Sequence, residues 1–159
     1  MIFKDMYYYM GEGEGQKLKF PAEILKLLHS YRQDAEEKTE AGGIIVGKIT
    51  YPDENYVVKT ITEPLENDIR TRYTFFRDDK LHQETFDNLY KNDELLTYIG
   101  EWHTHPENYP LPSITDINNW KKLLREVDLD GDYMIFIIVG IQEMRVWIGD
   151  KRDISIKLL

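Results

Sequence analysis

The segment Thr97-Tyr98-Ile99-Gly100-Glu101-Trp102-His103-Thr104-His105-Pro106 constrains the architecture more than any other stretch. It reads as a strand that runs into a pair of imidazoles and stops at a proline. A turn-rich stretch follows, and Pro112-Ser113-Ile114-Thr115-Asp116 then leads into a helical pattern with Ile117, Trp120 and Leu124 on one face. Strand side chains alternate faces, so His103 and His105 project together if the segment is extended. Two neutral imidazoles and one carboxylate make three protein ligands for a divalent metal, and a catalytic zinc keeps its fourth position for water. The pattern suggests a metal-activated hydrolase.

Cysteine is absent, which excludes disulfides and thiolate zinc sites, so a metal must be held by His, Asp or Glu. A chain of 159 residues fits one domain, residues 1–159, with 42% hydrophobic and 31% charged residues as in an ordinary soluble protein. The start, Met1-Ile2-Phe3-Lys4-Asp5, has no basic region followed by an apolar core, so no signal peptide is expected. No apolar run approaches the ~20 residues of a membrane span. A cytoplasmic protein is the simplest reading. The net charge of -9 argues against binding nucleic acid or anionic membrane, because both need clustered Lys and Arg.

Elsewhere the pattern alternates strands and helices. Tyr7-Tyr8-Tyr9 reads as strand and Gly11-Glu12-Gly13-Glu14-Gly15 as a turn. Ile24, Leu27, Leu28 and Tyr31 predict a helix from Pro21, closed by the polar residues Gln33 to Thr39. Gly43 to Thr50 and Tyr56 to Thr62 form a hairpin candidate. Residues 63–72 read as a polar loop and Tyr73 to Phe76 as a short strand. A helix follows over about 79–92, with His82, Phe86, Leu89 and Tyr90 on one face. Asp128-Leu129-Asp130-Gly131-Asp132 resembles a fragment of a calcium loop but lacks the distal Glu, so a helix-to-strand turn is expected. Three strands close the chain: Tyr133 to Val139, Met144 to Ile148 and Ile154 to Leu158. The sum is a mixed α/β domain with strands paired largely through hairpins.

Several site residues have ordinary structural explanations. Ser113-x-x-Asp116 before an apolar helical run matches a capping box, and a capped helix start would also give Asp116 a fixed direction suited to a ligand. A hydrolase of this kind also needs a carboxylate to carry a proton to the leaving amine. Glu101 shares a strand face with His103, and Glu40 precedes the buried strand, so both are candidates.

Taken together, Glu40-Ala41-Gly42-Gly43-Ile44-Ile45-Val46-Gly47, His103-Thr104-His105-Pro106, and Ser113 with Asp116 resemble the JAMM signature of MPN-domain (JAB-domain) metalloproteases. Ten residues separate His105 from Asp116, as in that family, and the signature spans residues 40 to 116. The resemblance implies a cytidine-deaminase-like α+β fold, a mixed and mostly antiparallel curved sheet flanked by helices. It implies His103, His105 and Asp116 as ligands of one catalytic Zn²⁺. Glu40 would be the general acid/base, in preference to Glu101, and Ser113 the donor to the oxyanion. Iron or manganese is compatible with the same ligands.

The family cleaves peptide or isopeptide bonds after the tails of ubiquitin or ubiquitin-like proteins. Gly100 to Pro106 and the Asn67…Arg70-Thr71…Phe75…Asp78 stretch look like stand-alone bacterial members. Those accompany ubiquitin-activating and ubiquitin-conjugating-like enzymes in antiviral defence operons and release a conjugated nucleotide cyclase. The resemblance implies a ubiquitin-like or conjugated protein tail as partner, paired as a strand against residues 63–78. Arg70, Arg72 and Arg77, three cations within eight residues, are candidates to meet an acidic substrate group. The rivals are processing of a sulfur-carrier protein or a small amide adduct, and a scaffold without catalysis. A nucleic-acid-associated role is a further one, disfavoured by the acidic balance.

Overall fold

The computed structural model describes residues 2–11 and 15–159, so most of the expected Gly11–Gly15 turn lies outside the described residues. Among the described residues, ten strands and three helices occur: β1 (Met6–Tyr9), β2 (Lys17–Phe20), α1 (Ala22–Ser30), β3 (Gly42–Thr50), β4 (Asn55–Ile61), β5 (Ile69–Thr71), β6 (Thr74–Phe76), α2 (Leu81–Asn92), β7 (Thr97–Thr104), α3 (Ile114–Glu126), β8 (Tyr133–Val139), β9 (Met144–Asp150) and β10 (Ser155–Leu158). Eight strands form one sheet in the order β1-β2-β4-β3-β7-β8-β9-β10. The β2–β4 and β7–β8 pairs are parallel and the others antiparallel. This is the expected mixed, mostly antiparallel sheet flanked by helices.

Strand β8 shows why the sheet is covered on both faces. Its sequence Tyr-Met-Ile-Phe-Ile-Ile-Val has no polar residue, and all seven positions are buried. Tyr133, Ile135, Ile137 and Val139 pack with Ile24, Leu25 and Leu28 of α1, while Met134, Phe136 and Ile138 pack with Trp120 and Leu124 of α3. A continuous apolar run is what a central strand between two layers requires. Breaks in pairing register at Ile45/Val46 and Val46/Gly47 of β3 increase local bending beside the site.

Two strands lay outside the sequence reading. In β2, Leu18 and Phe20 are fully buried and alternate with lysines, but four residues beside a glycine-rich turn are too short to stand out. Strand β5 was expected to be loop. Its three residues are all exposed, so it carries no burial pattern, and pairing with β6 alone defines it. In α2 only His82 is buried and Tyr90 is exposed, so its expected apolar face is weaker than the spacing suggested. The Asp128–Asp132 stretch is a helix-to-strand turn.

The segment between β4 and α2 folds back as the β5–β6 hairpin and is anchored by a sealed network. His82 Nε2 meets Asp68 Oδ2 at 2.6 Å, with both side chains fully buried. On its other side His82 Nδ1 lies 2.7 Å from the Thr62 hydroxyl, which accepts the Ile44 N–H at 2.8 Å. Asp68 also accepts N–H groups from Leu65, Asp78 and Asp79. The hairpin thereby lies against β3: a Cβ on Gly42 would come within 2.5 Å of the Phe75 ring.

Candidate metal centre

The end of β7, the start of α3 and Glu40, two residues before β3, converge on one cleft of about 1040 Å³. Strand alternation sends His103 and His105 the same way, and after β7 ends the His105 N–H donates to the Val139 carbonyl of β8. Thr104 between them is fully buried. Its hydroxyl donates to Gln33 Oε1 at 2.7 Å and accepts the Ala41 N–H at 3.0 Å. Helix α3 begins with the expected capping box: the Asp116 N–H donates to Ser113 Oγ at 3.0 Å, and the Ser113 N–H donates to Asp116 Oδ2 at 2.8 Å. The cap thus locks Asp116 in the direction of the histidines.

The three side chains meet through their nitrogen and oxygen tips. His103 Nε2 lies 3.0 Å from His105 Nε2 and 3.3 Å from Asp116 Oδ1. His105 Nε2 lies 3.1 Å from Asp116 Oδ2. Ligands at ~2.0–2.1 Å around a tetrahedral metal are separated by roughly 3.3 Å, so the donor set and its spacing fit a divalent cation with N/O ligands. The Glu107 carboxylate, 2.8 Å from His105 Nδ1, can only accept a hydrogen bond. It therefore keeps the proton on Nδ1, so that Nε2 offers a lone pair to a cation when the ring is neutral and an N–H to Asp116 when the ring is protonated. Burial alone would raise the Asp116 carboxyl, but the hydrogen bonds from His103 and His105 hold it well below the usual carboxylate range. Burial would lower His105, yet hydrogen bonding to Asp116 raises it instead. The Asp116 carboxylate is thus held ionised, the form in which it can hold a cation.

Glu40 is buried at the edge of this cluster, with Oε1 4.0 Å from His105 Nε2. Burial pushes its carboxyl up to about 8, against the pull of His105. Its backbone is held by the hairpin: the Glu40 N–H donates to the Thr71 carbonyl at 2.8 Å, and Arg70 Nε donates to the Glu40 carbonyl at 2.7 Å.

Glu101 lines the same cleft but is engaged. Arg77 binds it in a two-pronged ion pair at 2.6 and 3.1 Å, and the Tyr98 hydroxyl donates to it at 3.0 Å. The three arginines, candidates for a substrate contact or simply solvated charges, each have an intramolecular partner. Arg70 binds the Glu40 carbonyl, Arg72 the carbonyls of Ala35 and Glu36, and Arg77 binds Glu101. Sequence reasoning also missed Glu107, whose only signal was a carboxylate two residues after His105. Fully buried Gln33 had none, because a polar residue after a helix reads as exposed.

The family profile for prokaryotic homologues of the JAB domain matches residues 22–149. A CD-NTase/cGAS isopeptidase of Escherichia coli (strain TW11681) is 35% identical over 139 residues, 87% of this chain and 84% of that protein. One of the same description from Vibrio cholerae is 33% identical over 129 residues, 80% of this chain and 78% of the relative. A probable metalloprotease of Sinorhizobium fredii is 33% identical over 116 residues, covering 69% of this chain and 70% of that one. Among solved structures, protein DSY2949 of Desulfitobacterium hafniense superposes with a TM-score of 0.59 at 17% identity, covering 86% of each chain. That likeness concerns the fold.

Proposed function

The chain belongs to the family of prokaryotic JAB-domain homologues, and on that premise we propose that it is a zinc-dependent isopeptidase releasing a protein conjugated through its C-terminal tail. The observation that carries the reading is the convergence of His103, His105 and Asp116 tips, whose ligand atoms lie within 4.8 Å of one another, with a buried carboxylate beside them. The names of the relatives favour a CD-NTase tail as the conjugated group; a ubiquitin-like tail has the same extended chemistry. In this reading residues 1–159 are one domain, and conjugating enzymes of the ubiquitin-activating and ubiquitin-conjugating type supply the substrate in antiviral defence.

A divalent zinc held by His103, His105 and Asp116 would supply Lewis acidity toward the scissile carbonyl and the attacking water. The residues of the chain do the rest. Glu40, buried at the edge of the cluster, takes the proton of the attacking water and delivers it to the departing nitrogen. The Ser113 Oγ already accepts the Asp116 N–H, which leaves its own proton available to the developing oxyanion. Phe75 and Phe76 of β6 line the cleft, and β6 pairs only with β5 among the described residues, so its far edge is open to an added substrate strand.

The test is cleavage of a CD-NTase tail fused to a reporter protein and of a ubiquitin-like protein with a C-terminal extension, each with metal content measured. Cleavage of either substrate, lost in Glu40→Gln with zinc retained, is the expected result. Zinc bound with cleavage only of a sulfur-carrier fusion would replace the proposed substrate class. Failure to bind zinc would favour a scaffold.

A further inference from the structure

Glu40 is placed unlike the other residues of the site. His103 lies in the β7 ladder and Asp116 is locked by a helix cap, but Glu40 precedes β3 and lies outside the sheet ladder. Its neighbour Ala41 is bound on both sides by Thr104 of β7, through the Thr104 hydroxyl and the Thr104 N–H. The described hydrogen bonds of the Glu40 backbone instead run to β5: N–H to the Thr71 carbonyl and carbonyl from Arg70 Nε. Its carboxylate has His105 at 4.0 Å and no closer ion-pair partner among the described residues.

We propose that Arg70 is a positioning residue that clamps the Glu40 backbone and so aims its carboxylate into the cleft. The inference rests on the hydrolase reading and assigns Arg70 a role different from that of a substrate cation. A side chain whose Nε is donated at 2.7 Å to a main-chain carbonyl acts on that backbone. Arg72 provides a contrast on the same hairpin. It binds carbonyls of Ala35 and Glu36, four or more residues from Glu40, so it attaches the hairpin without touching Glu40. Proton transfer demands close geometry, and a displacement of about 1 Å costs on the order of 10²-fold in rate. Losing the clamp therefore lowers kcat, whereas losing a substrate contact would raise KM.

The experiment compares wild type, Arg70→Ala, Arg70→Lys and Arg72→Ala for kcat and KM on the reporter fusion, bound zinc, thermal midpoint and amide exchange at Glu40. Expected for Arg70→Ala is a kcat lower by ten- to a hundredfold, with KM within about twofold, zinc retained and faster exchange at the Glu40 amide. Arg70→Lys, which can still donate to the carbonyl, recovers most of the rate. A rise in KM at unchanged kcat would overturn the clamp in favour of substrate contact. An equal kcat loss in Arg72→Ala would reduce it to general hairpin attachment. If wild type cleaves neither fusion, the hydrolase reading fails, and exchange at Glu40 still decides the clamp: faster exchange confined to that residue supports it and unchanged exchange refutes it.

Discussion

The protein contains two histidine–aspartate constellations, and they are built to opposite ends. At the cleft, two Nε2 atoms and a carboxylate converge on one another with 3.0 to 3.3 Å between them. Behind β3, His82 and Asp68 are sealed, and each polar atom has a partner: Thr62 on one side of the ring, three backbone N–H groups on the carboxylate. Residue type does not separate them. What separates them is whether hydrogen-bonding capacity is spent within the protein or left converging on an open space. The first arrangement calls for a cation; the second is a strut that holds the hairpin beside Glu40.

Four changes would break or sharpen this contrast. The largest effect falls on His105→Ala, which removes one of the three proposed ligands: the expected outcome is loss of zinc binding and turnover while the metal-free protein unfolds at nearly the wild-type urea concentration. Metal analysis and denaturation together check it. Next comes His82→Ala, for which the opposite pattern is expected. Leaving Asp68 buried without its partner costs about 3 kcal/mol of stability, seen as a lower urea midpoint, with zinc still bound by what remains folded. If the two variants behaved alike, the contrast would be wrong.

A smaller effect follows from Glu107→Ala, which frees His105 Nδ1 and lowers zinc affinity by about 10- to 100-fold in competition titrations. The pH dependence of the metal-free protein is a separate contrast, in which the two regions pull in opposite directions. Burial alone would raise Asp68, but N–H groups of Asp79 and Leu65 and the His82 ring hold it lowered. A lowered carboxyl contributes stability above its unfolded value of about 3.9 that is lost as pH falls through the folded value. Glu40 is raised from 4.5 to about 8 by burial, so the folded protein binds the extra proton and stability declines as pH rises between those values. Urea midpoints measured from pH 3 to 9 should show both slopes, and Glu40→Gln should flatten the decline above pH 4.5 to the part left by the raised His105 without changing the slope due to Asp68.

Much of this was legible beforehand because it is local. The β3–β4 hairpin, the β7 strand and the apolar β8 run follow from patterns that read out over a few residues. The capping box at Ser113 and Asp116 has a spacing that the helix itself dictates. The parallel β7–β8 pairing has no such local mark, since the whole of α3 lies between the strands. Exposed β5 had no burial period to betray it.

The sequence by itself determined the chemistry on offer: no thiolates, an H-x-H at a strand end, a carboxylate on a helix start and a glutamate before a glycine pair. Tertiary structure decided how those groups are supported. It assigned Glu107 to His105, Glu101 to Arg77, Gln33 to Thr104 and Arg70 to the Glu40 carbonyl. The physical reason is that side-chain character is written residue by residue, whereas a hydrogen-bond partner 30 or 71 positions away depends on which chain segments the packed sheet brings together.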